Sequence, residues 1–184
     1  MADINKSLQK LYPIEGGYVN DKTDRGGETY RGITRVNWPK WRGWAIIDAL
    51  KAEPGFPKNL ANHPELMEMV PEVYQWYWNS IGGPKLESQE IADELFDTAV
   101  NTGPVVAVRI AQQALNFLNK NGYEFADMEV DGKMGPKTLE LINGYKFEKS
   151  LMKALNALQG KHYIDFVLKD PTQEKFFRGW LERC

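Results

Sequence analysis

The chain has 184 residues, enough for one domain or two small ones fused; 42% are apolar and 26% charged, so a packed core is expected without stapling. Lys and Arg total 23 against 25 Asp and Glu, a net charge of −2, and neither half departs far from neutrality, which excludes the basic footprint of a non-specific nucleic-acid binder. Cys184 is the single cysteine, so no internal disulfide can form, and no run approaches the ~18 apolar residues of a membrane span. The opening Met1-Ala2-Asp3-Ile4-Asn5-Lys6 lacks the apolar core of a signal peptide. The expectation is a monomer made in the cytoplasm without stable membrane insertion, which something else must carry to any target outside.

Ile4, Leu8 and Leu11 recur at helical spacing behind Asp3, a fitting N-cap, and predict an amphipathic helix over 4–14 that stops at Gly16-Gly17. From Tyr18 to Ile33 the pattern breaks into short β-prone pieces, Tyr18-Val19 and Thr29-Tyr30. Asn20-Asp21 and Asp24-Arg25-Gly26-Gly27 separate them, as in an irregular hairpin. Trp38, Trp41 and Trp44 lead into a short helix over 44–52, and Pro54, Gly55 and Pro57 mark a loop. Pro64 to Ser80 is apolar at Leu66, Val70, Val73 and Tyr77, a helix that Pro71 is expected to kink or split. Its aromatic group Tyr74, Trp76, Tyr77 and Trp78 reads as core rather than as a sugar-stacking surface.

Ser88 can cap a helix carrying Ile91, Leu95 and Ala99; Gly103-Pro104 starts another with Val108, Ala111, Leu115 and Leu118, closed by Asn121-Gly122. Pro136 opens a short helix ending at Asn143-Gly144. Phe147, Leu151, Leu155, Leu158 and Phe166 place a long helix before Asp170-Pro171, and Phe176, Phe177, Trp180 and Leu181 a last one. The predicted fold class is mainly α, with one small β element near the N-terminus.

Inventory narrows the chemistry. His63 and His162 are the only histidines, so with one cysteine no His/Cys metal cluster can be assembled, and no HExxH, GxSxG, Walker or GxGxxG pattern is present. Neither a metal nor a cofactor is expected. Asp131-Gly132 with Gly135-Pro136 lacks the other oxygen ligands of a calcium loop and reads as a turn, and His162 reads as a surface or packed residue.

Carboxylates remain, concentrated at Glu15, Asp21 and Asp24, with Thr29 beside them. Glycoside hydrolysis needs an acid to protonate the leaving oxygen and an ionised partner to activate water or stabilise the transition state. Glu15 has Tyr12, Ile14 and Tyr18 as apolar neighbours, so partial desolvation can keep it protonated near neutrality, whereas Asp24 in its Gly-rich turn stays ionised. Residues 21–42 carry six Lys and Arg (Lys22, Arg25, Arg31, Arg35, Lys40 and Arg42) against three acids, which suits an anionic polymer. The residue types equally allow a helix-end Glu and a turn-stabilising Asp. Asp97 and Asn101, four apart on one helix face, either hydrogen-bond substrate or tie their turn to the hairpin.

The run Glu15-Gly16-Gly17-Tyr18-Val19-Asn20-Asp21, followed by Asp24, Gly26-Gly27, Thr29 and Gly32-Ile33-Thr34, resembles the signature of glycoside hydrolase family 108, N-acetylmuramidases of phage endolysins and related bacterial proteins. The resemblance implies Glu15 as catalytic acid. The motif is similar, more loosely, to the phage-type lysozyme arrangement in which an acidic residue nine positions on and a nearby Thr hold the attacking water. Asp24 stands nine after Glu15, with Asp21 its rival; Thr29 comes at fourteen, one place before Tyr30. Tyr18, Asn20 and Tyr30 are the adjoining candidates for binding substrate, beside Asp97 and Asn101.

Ala92-Asp93-Glu94-Leu95-Phe96-Asp97 through Gly103-Pro104, Val130-Asp131-Gly132-Lys133-Met134-Gly135-Pro136, and Phe177-Arg178-Gly179-Trp180 resemble the predicted peptidoglycan-binding region usually fused behind that catalytic segment. The implied organisation is a catalytic segment over 1–88 and a helical peptidoglycan-binding region over 89–184. Together they are expected to pack into one lysozyme-like globule with α+β character. The implied partner is the peptidoglycan glycan strand, the implied activity cleavage of its β-1,4 bond between N-acetylmuramic acid and N-acetylglucosamine, and the implied place the cell wall after holin-type or other release. Two rivals stand beside this reading: a non-enzymatic wall-binding or secretion-assisting protein, and a lytic transglycosylase in which Glu15 acts alone.

Overall fold

Asp3 starts the first helix as its position predicts: the backbone N–H of Asn5 donates to its carboxylate at 2.9 Å, satisfying one of the orphan donors of α1 (Ile4–Leu11). The structure is a computed structural model that describes residues 1–12, 17–21 and 27–184. The elements after α1 are β1 (Tyr18–Asn20), β2 (Glu28–Tyr30), β3 (Ile33–Thr34), α2 (Gly43–Leu50), α3 (Pro64–Ser80), α4 (Gln89–Thr102), α5 (Pro104–Leu118), α6 (Pro136–Gly144), α7 (Glu148–Lys169) and α8 (Glu174–Leu181). The described fold is thus mainly helical with one small antiparallel sheet, the α+β class expected.

By internal contacts the chain divides into two compact units, Leu8–Trp76 and Met1–Ser7 with Tyr77–Cys184. The first holds the sheet, in the order β1-β2-β3. Tyr18 pairs with Tyr30, Val19 with Thr29 and Asn20 with Glu28; Thr29 then pairs with Thr34 and Tyr30 with Ile33. The strands at 18–20 and 28–30 are the two arms of the expected hairpin, and β3 is an addition. It is reached through Arg31-Gly32, a two-residue turn with φ of 45° and 75°. Positive φ at both central residues matches the twist of the strands, but arginine is no turn former, so the sequence carries little sign of it.

Beneath the sheet unit's surface Tyr30, Ile33, Ile47, Leu60, Leu66 and Tyr74 are buried. The three tryptophans cluster: Trp44 donates its indole N–H to the Trp38 carbonyl at 2.7 Å and meets the Trp41 ring edge-on at 5.2 Å. A Cβ on Gly43 would lie 2.3 Å from the Trp41 ring, so only glycine lets that indole cross the start of α2. Pro71 does not split α3, which runs unbroken to Ser80. Pro71 and Met67, whose carbonyl loses its usual amide donor to the proline, both face solvent, so water can take the donor's place. Tyr74, Tyr77 and Trp78 are buried as expected of core aromatics, while Trp76 is exposed.

In the second unit α4 begins under Ser88, whose hydroxyl accepts from the Ile91 N–H at 3.3 Å as predicted, and α5 begins on Pro104. α4 packs on α5 and α7, α5 on α6 and α7, and α7 on α8, burying Leu95, Phe96, Ala111, Leu115, Leu151 and Leu155. Buried amides knit these helices together. Gln112 donates to Asp131 Oδ1 at 2.8 Å and to the Lys133 carbonyl at 3.2 Å and accepts from the Gly132 N–H at 2.9 Å; Gln159 donates to Thr98 Oγ1 at 2.9 Å. The Asp131-Gly132 segment read as a turn is therefore clamped from within, with Gly132 at φ 77°.

Candidate functional site

The sheet unit carries a cleft of about 430 Å³. Tyr12, just past α1, and Gly17 form one part of its lining, Tyr18, Tyr30 and Arg31 the strand side, and Pro57, Lys58, Leu60 and Ala61 the far side. Long-range hydrogen bonds set its shape. Tyr30, almost fully buried, donates its hydroxyl to the Leu60 carbonyl at 2.9 Å, and Arg31 donates from its guanidinium to the Ala61 carbonyl at 3.0 Å. Tyr74 of α3 donates to the Arg31 carbonyl at 2.6 Å and meets the Tyr12 ring edge-on at 5.6 Å. Burial raises the Tyr12 phenol above its ordinary range, an effect the nearby Arg31 charge partly offsets.

Beside the cleft lies a charged cluster. Glu28 accepts the Tyr18 hydroxyl at 2.9 Å and pairs with Arg35 and Lys51, each at 2.7 Å; both cations also reach Asp48. The hydrogen bonds from Arg35 first and Lys51 second hold the Asp48 carboxyl down at about 2. Arg35 also lies 4.5 Å over the Trp44 ring. The Tyr18 phenol is pushed up by burial first and then by its bond to Glu28.

Of the residues predicted for the site, Glu15 and Asp24 lie outside the described residues, as do Lys22 and Arg25 of the cationic hairpin. Tyr18 and Tyr30 face each other across β1 and β2 and both line the cleft. Asn20 and Glu28 form the next pair on the same face, with Asn20 exposed. Thr29 falls on the opposite face of the sheet, between Val19 and Thr34, and its hydroxyl donates to the Gly27 carbonyl at 3.2 Å. Asp21 is half-buried at the end of β1.

Asp97 and Asn101 belong to the helical unit. Asp97 accepts from Arg183 at 2.7 Å and Asn101 donates to the Tyr163 hydroxyl at 2.7 Å, so both are engaged by the chain's last two helices and their flanks. Nearby on α4, burial above all, with the Asp97 charge second, pushes the Glu94 carboxyl up to about 7. Burial and the same two acids raise the Cys184 thiol to about 11. Among the described residues no group of three or more His, Cys, Asp or Glu is placed to hold a metal ion.

In the sequence Tyr12 stands only as an apolar neighbour of Glu15 and Arg31 only as one of the six cations of residues 21–42, neither as a cleft residue, and Lys58 is not singled out. Tyr12 borders the signature, which was a signal; Lys58 sits in a loop with none.

A family model described as Glycosyl hydrolase 108 matches residues 8–103. The chain belongs to glycosyl hydrolase family 108. Residues 106–184 match a second model, a predicted peptidoglycan domain. Membership makes the chain a glycosidase, and the two matches together indicate hydrolysis of peptidoglycan and action at the cell wall. Among solved structures, SagA of Brucella abortus is similar over 97% of this chain and 87% of its own, with a TM-score of 0.62 and 24% identity, a likeness of fold. No curated protein matches the chain. Among the described residues no helix is long and apolar enough to cross a membrane.

Proposed function

We propose that the chain is a muramidase that hydrolyses the β-1,4 bond between N-acetylmuramic acid and N-acetylglucosamine, with Glu15 as general acid. Asp24, with Asp21 as its rival, positions or activates water; Thr29, on the sheet face opposite Tyr18 and Tyr30, is left out of this role. The observation that carries this reading is that Tyr12 and Gly17, the described residues on either side of Glu15 in sequence, both line the tyrosine-rich cleft. Tyr12, exposed, and Tyr18, half-buried, supply ring surface suited to pyranose rings, while the almost fully buried Tyr30 shapes the wall through its bond to Leu60. Nothing in the route requires a cofactor: the acid protonates the glycosidic oxygen as the bond to the anomeric carbon breaks, and water delivers hydroxyl to that carbon and a proton to the second carboxylate.

The test is the release of new reducing ends from purified peptidoglycan. Glu15→Gln keeps the shape of the side chain without its proton, and the expected loss in rate is about 10² to 10⁴ with the melting temperature unchanged. Unaltered turnover in that variant would refute the assignment. Mass analysis of the wild-type digest separates hydrolysis from transglycosylation, whose anhydro products are lighter by one water.

A further inference from the structure

The cleft has a charge pattern that the bond-breaking chemistry leaves unused. Among its described lining residues the charged side chains are Arg31 and Lys58, both cations. Neither pairs with a carboxylate of the described residues, in contrast to Arg35 and Lys51, which Glu28 and Asp48 neutralise. A cleft walled by three tyrosines, carrying two cations and no described anion, fits a sugar that itself bears a carboxylate.

Arg31 is built into this position. Its backbone takes φ 45°, its carbonyl is fastened by Tyr74, and its guanidinium carbon lies 5.9 Å from the Tyr30 ring centre. The bond to Ala61 uses one of five N–H donors, leaving fork geometry for a carboxylate. Lys58 opens the short 3₁₀ turn Lys58–Leu60, which Tyr30 and Arg31 anchor through the carbonyls of Leu60 and Ala61. The two cations therefore sit on segments that the same hydrogen bonds hold together.

We propose that Arg31 and Lys58 form a carboxylate subsite of the glycan cleft, an inference that rests on the muramidase reading and adds to it a basis for preferring acidic glycan. Peptidoglycan offers that group from two sources: the lactyl carboxylate of a muramoyl residue stripped of its peptide, and the free carboxylates of the stem peptide. Neutral N-acetylglucosamine polymers offer neither.

The experiment titrates the full chain, on ice and before appreciable turnover, with soluble glycan strands of two kinds, peptide-stripped and peptide-bearing. Each is used untreated and after carbodiimide conversion of its carboxylates to amides. The quantity read is the ratio of affinities for untreated over amidated strands. The wild-type ratio is expected to be about 10, shrinking with added salt as screening weakens the contact. In Lys58→Gln and in Arg31→Asn the ratio should fall to about 1 to 3, and Lys58→Arg should retain it. Asn tolerates the left-handed backbone at position 31, and a ratio taken within one variant is insensitive to a lower folded fraction. A preference on stripped strands assigns the lactyl group and one on peptide-bearing strands the stem; either upholds the subsite.

A wild-type ratio near 1, or variants that keep the wild-type ratio, overturns it. Because the ratio needs no bond cleavage, a chain that releases no reducing ends fails the muramidase reading alone, and one that cleaves but binds amidated strands equally fails the subsite alone.

Discussion

The two units place their buried polar groups differently. The helical unit hides whole amides: Gln112 and Gln159 are almost fully buried, and Gln112 alone serves Asp131, Gly132 and Lys133. The sheet unit instead buries tyrosine rings whose single hydroxyls reach a carbonyl, Tyr30 to Leu60 and Tyr74 to Arg31. The cavities differ in the same sense. One cavity of the helical unit, about 280 Å³, has Glu87 and Glu148 in its lining, the latter already taken by the Ser88 hydroxyl, whereas the cleft of the sheet unit has two cations among its described residues. An amide that serves three loop groups fixes a structure but gives up three bonds when lost; a tyrosine hydroxyl gives up one.

That contrast can be broken by measurement. Gln112→Ala removes the donor and acceptor that clamp residues 131–133 and leaves a cavity, so an expected loss of about 3 to 4 kcal/mol should lower the melting temperature by on the order of 10 °C. Next in size is the pH response of Glu94. Its folded pKa of about 7 lies above the ordinary 4.5, so the folded state keeps a proton that the unfolded chain has released. Stability from this group is complete below about pH 4.5, falls as pH rises to about 7, and levels off beyond, a change on the order of 2 to 3 kcal/mol. Thermal melts from pH 4 to 8 should show this slope in the wild type and its disappearance in Glu94→Gln. Smallest is Tyr30→Phe, which deletes one hydroxyl and should cost about 1 to 1.5 kcal/mol, a fall of a few degrees. Equal losses for Gln112→Ala and Tyr30→Phe would end the distinction between the units.

Most of the helical framework was legible because its boundaries are chemical: Asp3 and Ser88 cap, Pro104 and Pro136 occupy first turns, and the apolar spacing within α4, α5 and α7 follows one face. The hairpin arms were legible from Tyr18-Val19 and Thr29-Tyr30. What stayed hidden depends on partners far along the chain. β3 exists because Arg31 takes a left-handed conformation that its own propensity disfavours, with Tyr74 holding its carbonyl. Lys58 reaches the cleft because Tyr30 binds the turn it begins. The strand alternation that separates Thr29 from Tyr18 and Tyr30 follows from register, which short strands flanked by glycines leave open.

The tyrosine clasps also bear on the order in which the molecule assembles. Tyr30 meets Leu60 across 30 residues and Tyr74 meets Arg31 across 43, whereas α4 and α5 are joined by Gly103 alone and can collapse as neighbours. Closing the larger loops costs chain entropy before any contact repays it, a cost the helical unit also carries where Gln159 reaches Thr98 across 61 residues, so the neighbouring pair α4 and α5 is expected to form ahead of the groove's clasps.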